Sequence, residues 1–126
     1  MEDNNSKYNI LLVDDDKVVC NMLKRFITSM GFNVITAFDG AAALLKLKTE
    51  AVHLVITDLG LPGIDGFELF LKCRELFPEL KVIFITGFGH NYEPKIKEAI
   101  QNGLYCCLYK PFKYNALEKA IKSALK

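Results

Sequence analysis

Asp58 ends the apolar run Leu54–Val55–Ile56–Thr57, and the triplet Asp14–Asp15–Asp16 ends the run Ile10–Leu11–Leu12–Val13. Thr86 follows Val82–Ile83–Phe84–Ile85 in the same way, and Lys110 follows Cys106–Cys107–Leu108–Tyr109. If the four runs are parallel strands of one sheet, their polar residues meet at one edge, where open α/β sheets place their ligand crevices. Carboxylates that close repel one another unless a cation lies between them. Mg²⁺ suits a few carboxylates together with phosphate oxygens and waters. An aspartate beside such an ion can act as a nucleophile on a phosphoryl group. A lysine opposite it adds a second positive charge, and a hydroxyl can bond a phosphoryl oxygen.

The elements that would carry these residues alternate along the chain. The strands read as continuous apolar runs, the pattern of a sheet covered by helices on both faces. Val19, Met22, Leu23, Phe26, Ile27 and Met30 recur at helical spacing and predict a first helix over 17–30, with Gly31 as its stop. Residues 33–37 form a second strand. Asp39 caps a second helix with an apolar stripe through Ala41, Leu44, Leu45 and the stem of Lys48. The segment 59–66, with three glycines and a proline, is a loop. Phe67, Phe70, Leu71 and the stem of Arg74 line a third helix that Pro78 stops. Gly87–Phe88–Gly89 opens a further loop. Pro94 sits in the first turn of a fourth helix carrying Ile96, Ala99 and Ile100, and Leu117, Ala120, Ile121, Ala124 and Leu125 mark a fifth. Five strands and five helices in strict alternation imply an α/β fold with a parallel sheet and right-handed crossovers.

At 126 residues the chain has the size of one domain, read as 8–126 after a flexible N-terminal segment 1–7. A net charge of +1 with 25% charged residues gives no field of the kind that nucleic-acid binding requires. Lys95, Lys97, Lys113, Lys119 and Lys122 read as solvated helix faces. The acidic, polar start is unlike a secretory signal, and no run approaches the roughly 18 apolar residues of a membrane span, so a cytoplasmic location is expected. Cys20, Cys73, Cys106 and Cys107 lack metal or redox spacing and are expected to be reduced thiols. Asp16 and Asp65 read as helix caps, His53 and His90 as ordinary surface histidines, and Cys106–Cys107 as strand packing.

The acidic triplet, the segment Asp58–Leu59–Gly60–Leu61–Pro62–Gly63–Ile64–Asp65–Gly66, Ile85–Thr86–Gly87 and Lys110–Pro111–Phe112, in that order, resemble the receiver domains of two-component response regulators over about residues 8–125. The resemblance implies a flavodoxin-like (βα)5 fold with strand order 2-1-3-4-5. It implies that Asp58 is the phosphoacceptor, that Asp15 binds Mg²⁺ directly and Asp14 through water, and that the Gly60 carbonyl is a third protein ligand beside Asp58. Lys110 would pair with the phosphoryl group, Thr86 would be the switch hydroxyl, and the Lys110–Pro111 peptide would be cis. A histidine kinase or phosphotransfer protein would supply the phosphoryl group. It would dock on the first helix around Lys17, Asn21, Lys24 and Arg25 and on the loop after Lys110. Phosphorylation would switch the face formed by the fourth helix, last strand and last helix to control an output domain or partner. The same face allows a weak or phosphorylation-dependent homodimer.

Two departures stand out. Cys107 occupies the position where the family usually has an aromatic switch; Tyr105 and Tyr109 are the candidates to substitute for it, although side chains one removed along a strand face the other side. Gly60 and Phe88 occupy positions that, by the same resemblance, family members use to tune hydrolysis of the acyl phosphate. Gly60 has no side chain to orient water, and Phe88 is expected to shield the phosphoryl group, so self-dephosphorylation should be slow. Three rival readings fit less well. A flavin carrier would need hydroxyls and glycines where the aspartates stand. A haloacid-dehalogenase-type phosphatase would need a carboxylate at position 60. A phosphorylation-independent receiver used as a binding module usually lacks residues that this chain keeps.

Overall fold

The computed structural model describes residues 5–87 and 92–126. The strands are β1 (Asn9–Val13), β2 (Asn33–Ala37), β3 (Leu54–Asp58), β4 (Lys81–Thr86) and β5 (Cys106–Tyr109). They alternate with α1 (Lys17–Ser29), α2 (Gly40–Thr49), α3 (Gly66–Leu76), α4 (Glu93–Gln101) and α5 (Tyr114–Ala124). All neighbouring strands are parallel, in the order β2-β1-β3-β4-β5. This is the architecture expected from the sequence. Of residues 1–7, Asn5–Lys7 form a single 3-10 turn, from which the Asn5 side chain donates to the Met30 carbonyl at 2.7 Å.

The apolar runs divide between two cores by odd and even position. Leu11, Val13, Val55, Val82 and Phe84 face α2, α3 and α4, while Ile10, Leu12, Leu54, Ile56, Ile83 and Ile85 face α1 and α5. Every one of these strand residues is fully buried, which explains the lack of an in–out pattern in the sequence. Leu23 and Ile27 of α1 and Leu117 and Ile121 of α5 are buried members of the stripes read from their spacing, although Met22, read as part of the α1 stripe, is exposed.

Three helix faces differ from expectation. In α2 the buried residues are Gly40, Ala43 and Leu47, and Leu45 is 62% exposed. Apolar residues surround the first turns of this helix, so spacing alone does not fix which side turns inward. In α3, Leu69 and Cys73 join Phe67 and Phe70 in the core, while Leu71 points outward. In α4, Ile96 and Ala99 form the buried contact, and Ile100 is exposed.

Two glycines hold the loop after β3 against its neighbours. A Cβ at Gly66 would collide with the Asp58 carbonyl oxygen and lie 2.8 Å from Leu59 Cα, while a Cβ at Gly40 would lie 2.5 Å from the Ile64 carbonyl oxygen. Only a residue without a side chain permits these approaches.

Candidate functional site

β1 and β3 are adjacent and in register, with Val13 opposite Thr57, so Asp14 and Asp58 emerge side by side. Ligand oxygens of Asp14, Asp15 and Asp58 lie within 4.8 Å of one another. Lys110 reaches across from the end of β5, its Nζ 3.1 Å from Asp58 Oδ2 and 3.5 Å from Asp14 Oδ2. The Lys110 backbone N–H donates to the Thr86 carbonyl at 2.7 Å, which fixes its stem against β4. Its Lys110–Pro111 peptide bond is cis.

Burial differs sharply among the three carboxylates: Asp14 is enclosed, Asp58 is partly exposed and Asp15 is open to water. Asp14 Oδ1 accepts the Asp16 N–H at 2.9 Å, whereas among the described residues its buried Oδ2 has no hydrogen-bond partner and meets only the more distant Lys110 ammonium. Burial pushes the Asp14 carboxyl above its ordinary pKa, and Asp58 and Asp15 add to the rise, against the Asp16 N–H and Lys110. Burial works to lower the Lys110 pKa, but the charges of Asp58 and Asp14 win and hold it above its ordinary value. Asp58 Oδ1 accepts the Gly60 N–H at 3.1 Å.

This site fits a hard dication. Among the described residues its clustered side-chain ligands are carboxylates, one oxygen of which is buried and lacks a donor, and Lys110 alone does not balance three carboxylates.

Thr86 is buried at the neighbouring strand end, its hydroxyl donating weakly to the Gly87 carbonyl at 3.5 Å. Phe88 and His90 lie outside the described residues. Asp16 caps α1 by accepting from Val18 and Val19, and Asp65 forms a capping box with Glu68 at the start of α3. Asp65 also binds Lys95 of α4 at 2.9 Å. His53 is exposed and accepts the Asn9 N–H. All four cysteines are free thiols.

Cys107 packs toward α4 and Cys106 toward the opposite core. Of the two candidates to substitute for the aromatic, Tyr109 packs on the same side as Cys107, because residues two apart on a strand share a face, while Tyr105 packs toward the opposite core. Its hydroxyl donates to Glu93 Oε1 at the start of α4, at 3.0 Å. Burial, then this carboxylate, push the Tyr109 pKa up to about 12.

Sequence reasoning missed Tyr92. Its hydroxyl stands 3.2 Å from the point a Gly60 Cβ would occupy, and that point is 4.0 Å from Asp58 Oδ1. The two residues come from separate loops, and no local pattern connects them.

Comparison with known proteins gives a consistent result. The family profile described as "Response regulator receiver domain" matches residues 10–122. The transcriptional regulatory protein GlrR of Escherichia coli K12 is 39% identical over 117 residues, which cover 93% of this chain and 26% of GlrR. The sensor protein EvgS of the same strain is 34% identical over 112 residues, 89% of this chain and 9% of EvgS. The chain thus spans about a quarter or less of the length of these relatives. Among solved structures, the receiver domain of NtrX from Brucella abortus superposes with a TM-score of 0.84 at 33% identity, covering 92% of this chain and 97% of that one.

Proposed function

This chain belongs to the response regulator receiver domains of two-component signalling, and on that premise we propose that Asp58 accepts a phosphoryl group from a phosphohistidine in a Mg²⁺-dependent reaction. The observation that carries the reading is the meeting of Asp58 with Asp14, Asp15 and Lys110 at one sheet edge. A carboxylate oxygen of Asp58 bonds to phosphorus as the phosphorus–nitrogen bond to the donor imidazole breaks. The ring leaves neutral when its other nitrogen carries a proton. Lys110, already 3.1 Å from Asp58, offsets charge on the transferred oxygens. Asp15, Asp58 and the Gly60 carbonyl would hold Mg²⁺ directly and Asp14 through water, and the ion supplies charge neutralisation at the phosphoryl oxygens.

The donor protein docks across α1, where Lys17, Asn21, Lys24 and Arg25 are exposed together with Val18 and Met22. An exposed cation beside exposed apolar groups suits a helical phosphohistidine protein. After transfer, Thr86 turns its hydroxyl from the Gly87 carbonyl to the phosphoryl group, and the α4-β5-α5 face repacks. Cys107 has no ring to swing inward, so coupling to that face runs through Tyr109 and Glu93 and is weaker. Amide shifts that stop short of β5 on phosphorylation would overturn this part. Relatives are named as transcriptional regulators and sensor proteins, and this chain's output follows the same signalling logic, through an attached domain or partner.

The test is intact mass after incubation with phosphoramidate and Mg²⁺. One phosphoryl adduct is expected in the parent and none in Asp58→Asn or with chelator. Absence of an adduct under every condition would replace this reading with a phosphorylation-independent binding module.

A further inference from the structure

Tyr92 is the N-cap residue of α4, a position that favours Ser, Thr, Asp or Asn because their short side chains can accept from the first-turn N–H groups. Tyr92 makes no side-chain capping bond, and Pro94 lies in the first turn. Its ring is half-buried against the α3–α4 side of the core, and its hydroxyl reaches the space beside Gly60. A residue type that gives up a local preference is best explained by what its side chain reaches. Here it reaches volume that any side chain at position 60 would fill, beside Asp58 Oδ1.

We infer that the Tyr92 hydroxyl takes the place of the side chain missing at position 60, donating a hydrogen bond to a phosphoryl oxygen of phosphorylated Asp58 while its ring covers the approach above Gly60. The inference rests on the phosphoacceptor reading of Asp58. A phosphoryl group brings strong acceptor oxygens to this space, and a neutral phenol has a proton to donate. A phenol is a poor acceptor of a proton from water, so its effect is to preserve the acyl phosphate. In hydrolysis a water oxygen bonds to phosphorus, the phosphorus–oxygen bond to Asp58 breaks, Asp58 keeps that electron pair as carboxylate, and the water's protons pass to phosphate and solvent. Tyr92 slows this step by holding the ground state and restricting water.

Four proteins test this: the parent, Tyr92→Phe, Gly60→Ala and the double variant. Each is loaded with phosphoramidate and Mg²⁺, freed of donor and followed by intact mass. Position 60 lacks a positive φ, so alanine fits its backbone, but the new methyl would stand 3.2 Å from the Tyr92 oxygen and shift it by a few tenths of an ångström. Tyr92→Phe is expected to lose phosphate about fivefold faster, the effect of one ordinary hydrogen bond. Gly60→Ala should speed the loss by a smaller factor, and the double variant should decay no faster than Tyr92→Phe. Decay of Tyr92→Phe at the parent rate overturns the inference, and so do multiplicative effects in the double variant. Failure of the parent to load at all instead overturns the Asp58 reading, and this inference falls with it.

Discussion

Replacing Asp14 by asparagine should raise the stability of the metal-free domain at neutral pH by about 2 kcal/mol, because burial outweighs what its partners return. At an effective dielectric of about 20, attraction to Lys110 at 3.5 Å amounts to about 5 kcal/mol. Repulsion from Asp58, at most 4.8 Å away, amounts to about 3.5 kcal/mol or more. Asp15 adds less, since water screens its exposed carboxylate. These charge interactions nearly cancel, which leaves the desolvation of a buried ion, several kcal/mol, offset in part by the Asp16 N–H at 2.9 Å. Asparagine keeps an oxygen for that N–H and removes the charge. For 126 residues, 2 kcal/mol corresponds to about 8 °C in Tm. The assay is thermal unfolding in chelator. Asp14 has a raised folded pKa, so its part of the stability is intact below the ordinary carboxylate value and is lost as pH rises through the folded value. The gap between variant and parent should therefore be widest at neutral pH and close towards about pH 4. Added Mg²⁺ should raise the parent more than the variant. A variant that melts below the parent in chelator at neutral pH would refute the reasoning.

Asp65→Ala should cost about 1–2 kcal/mol by removing the capping box, with little from the exposed Lys95 pair. Burial raises the Asp65 pKa, but the Glu68 N–H and Lys95 outweigh it and hold it below the ordinary value. Its contribution is present above that ordinary value and fades as pH falls through the folded one, so melts of variant and parent should converge well below about pH 4. Phe88→Ala should shorten the life of the aspartyl phosphate, measured by intact mass, and an unchanged decay would remove its shielding role. Gly66→Ala should lose about 3 kcal/mol or more in denaturant unfolding, since its methyl meets backbone that cannot move aside.

The four strand ends were legible because a polar residue closing an apolar run is conspicuous, and β1, β3, β4 and β5 each supply one. Helices α1 and α5 were legible because charged residues separate their apolar positions. In α2, with Ala41, Ala42, Ala43, Leu44 and Leu45 in succession, the inward side is set by the sheet and by Ile64 against Gly40, which no spacing within the helix records. The pairing of Tyr92 with Gly60 was hidden for a related reason: it is a contact between two loops, made by one residue's reach into the other's empty space. The glycines of the loop after β3 read as turn formers, yet Gly66 is required by the closeness of α3 to the end of β3.

That closeness bears on how a map of single substitutions would look. In a library scored by signalling output alone, positions 40 and 66 would be as intolerant as Asp58, although neither offers an atom to the chemistry. Scoring the same library for cellular abundance would separate them, with the two glycines depleted in both screens and Asp58 variants accumulating as soluble, silent protein.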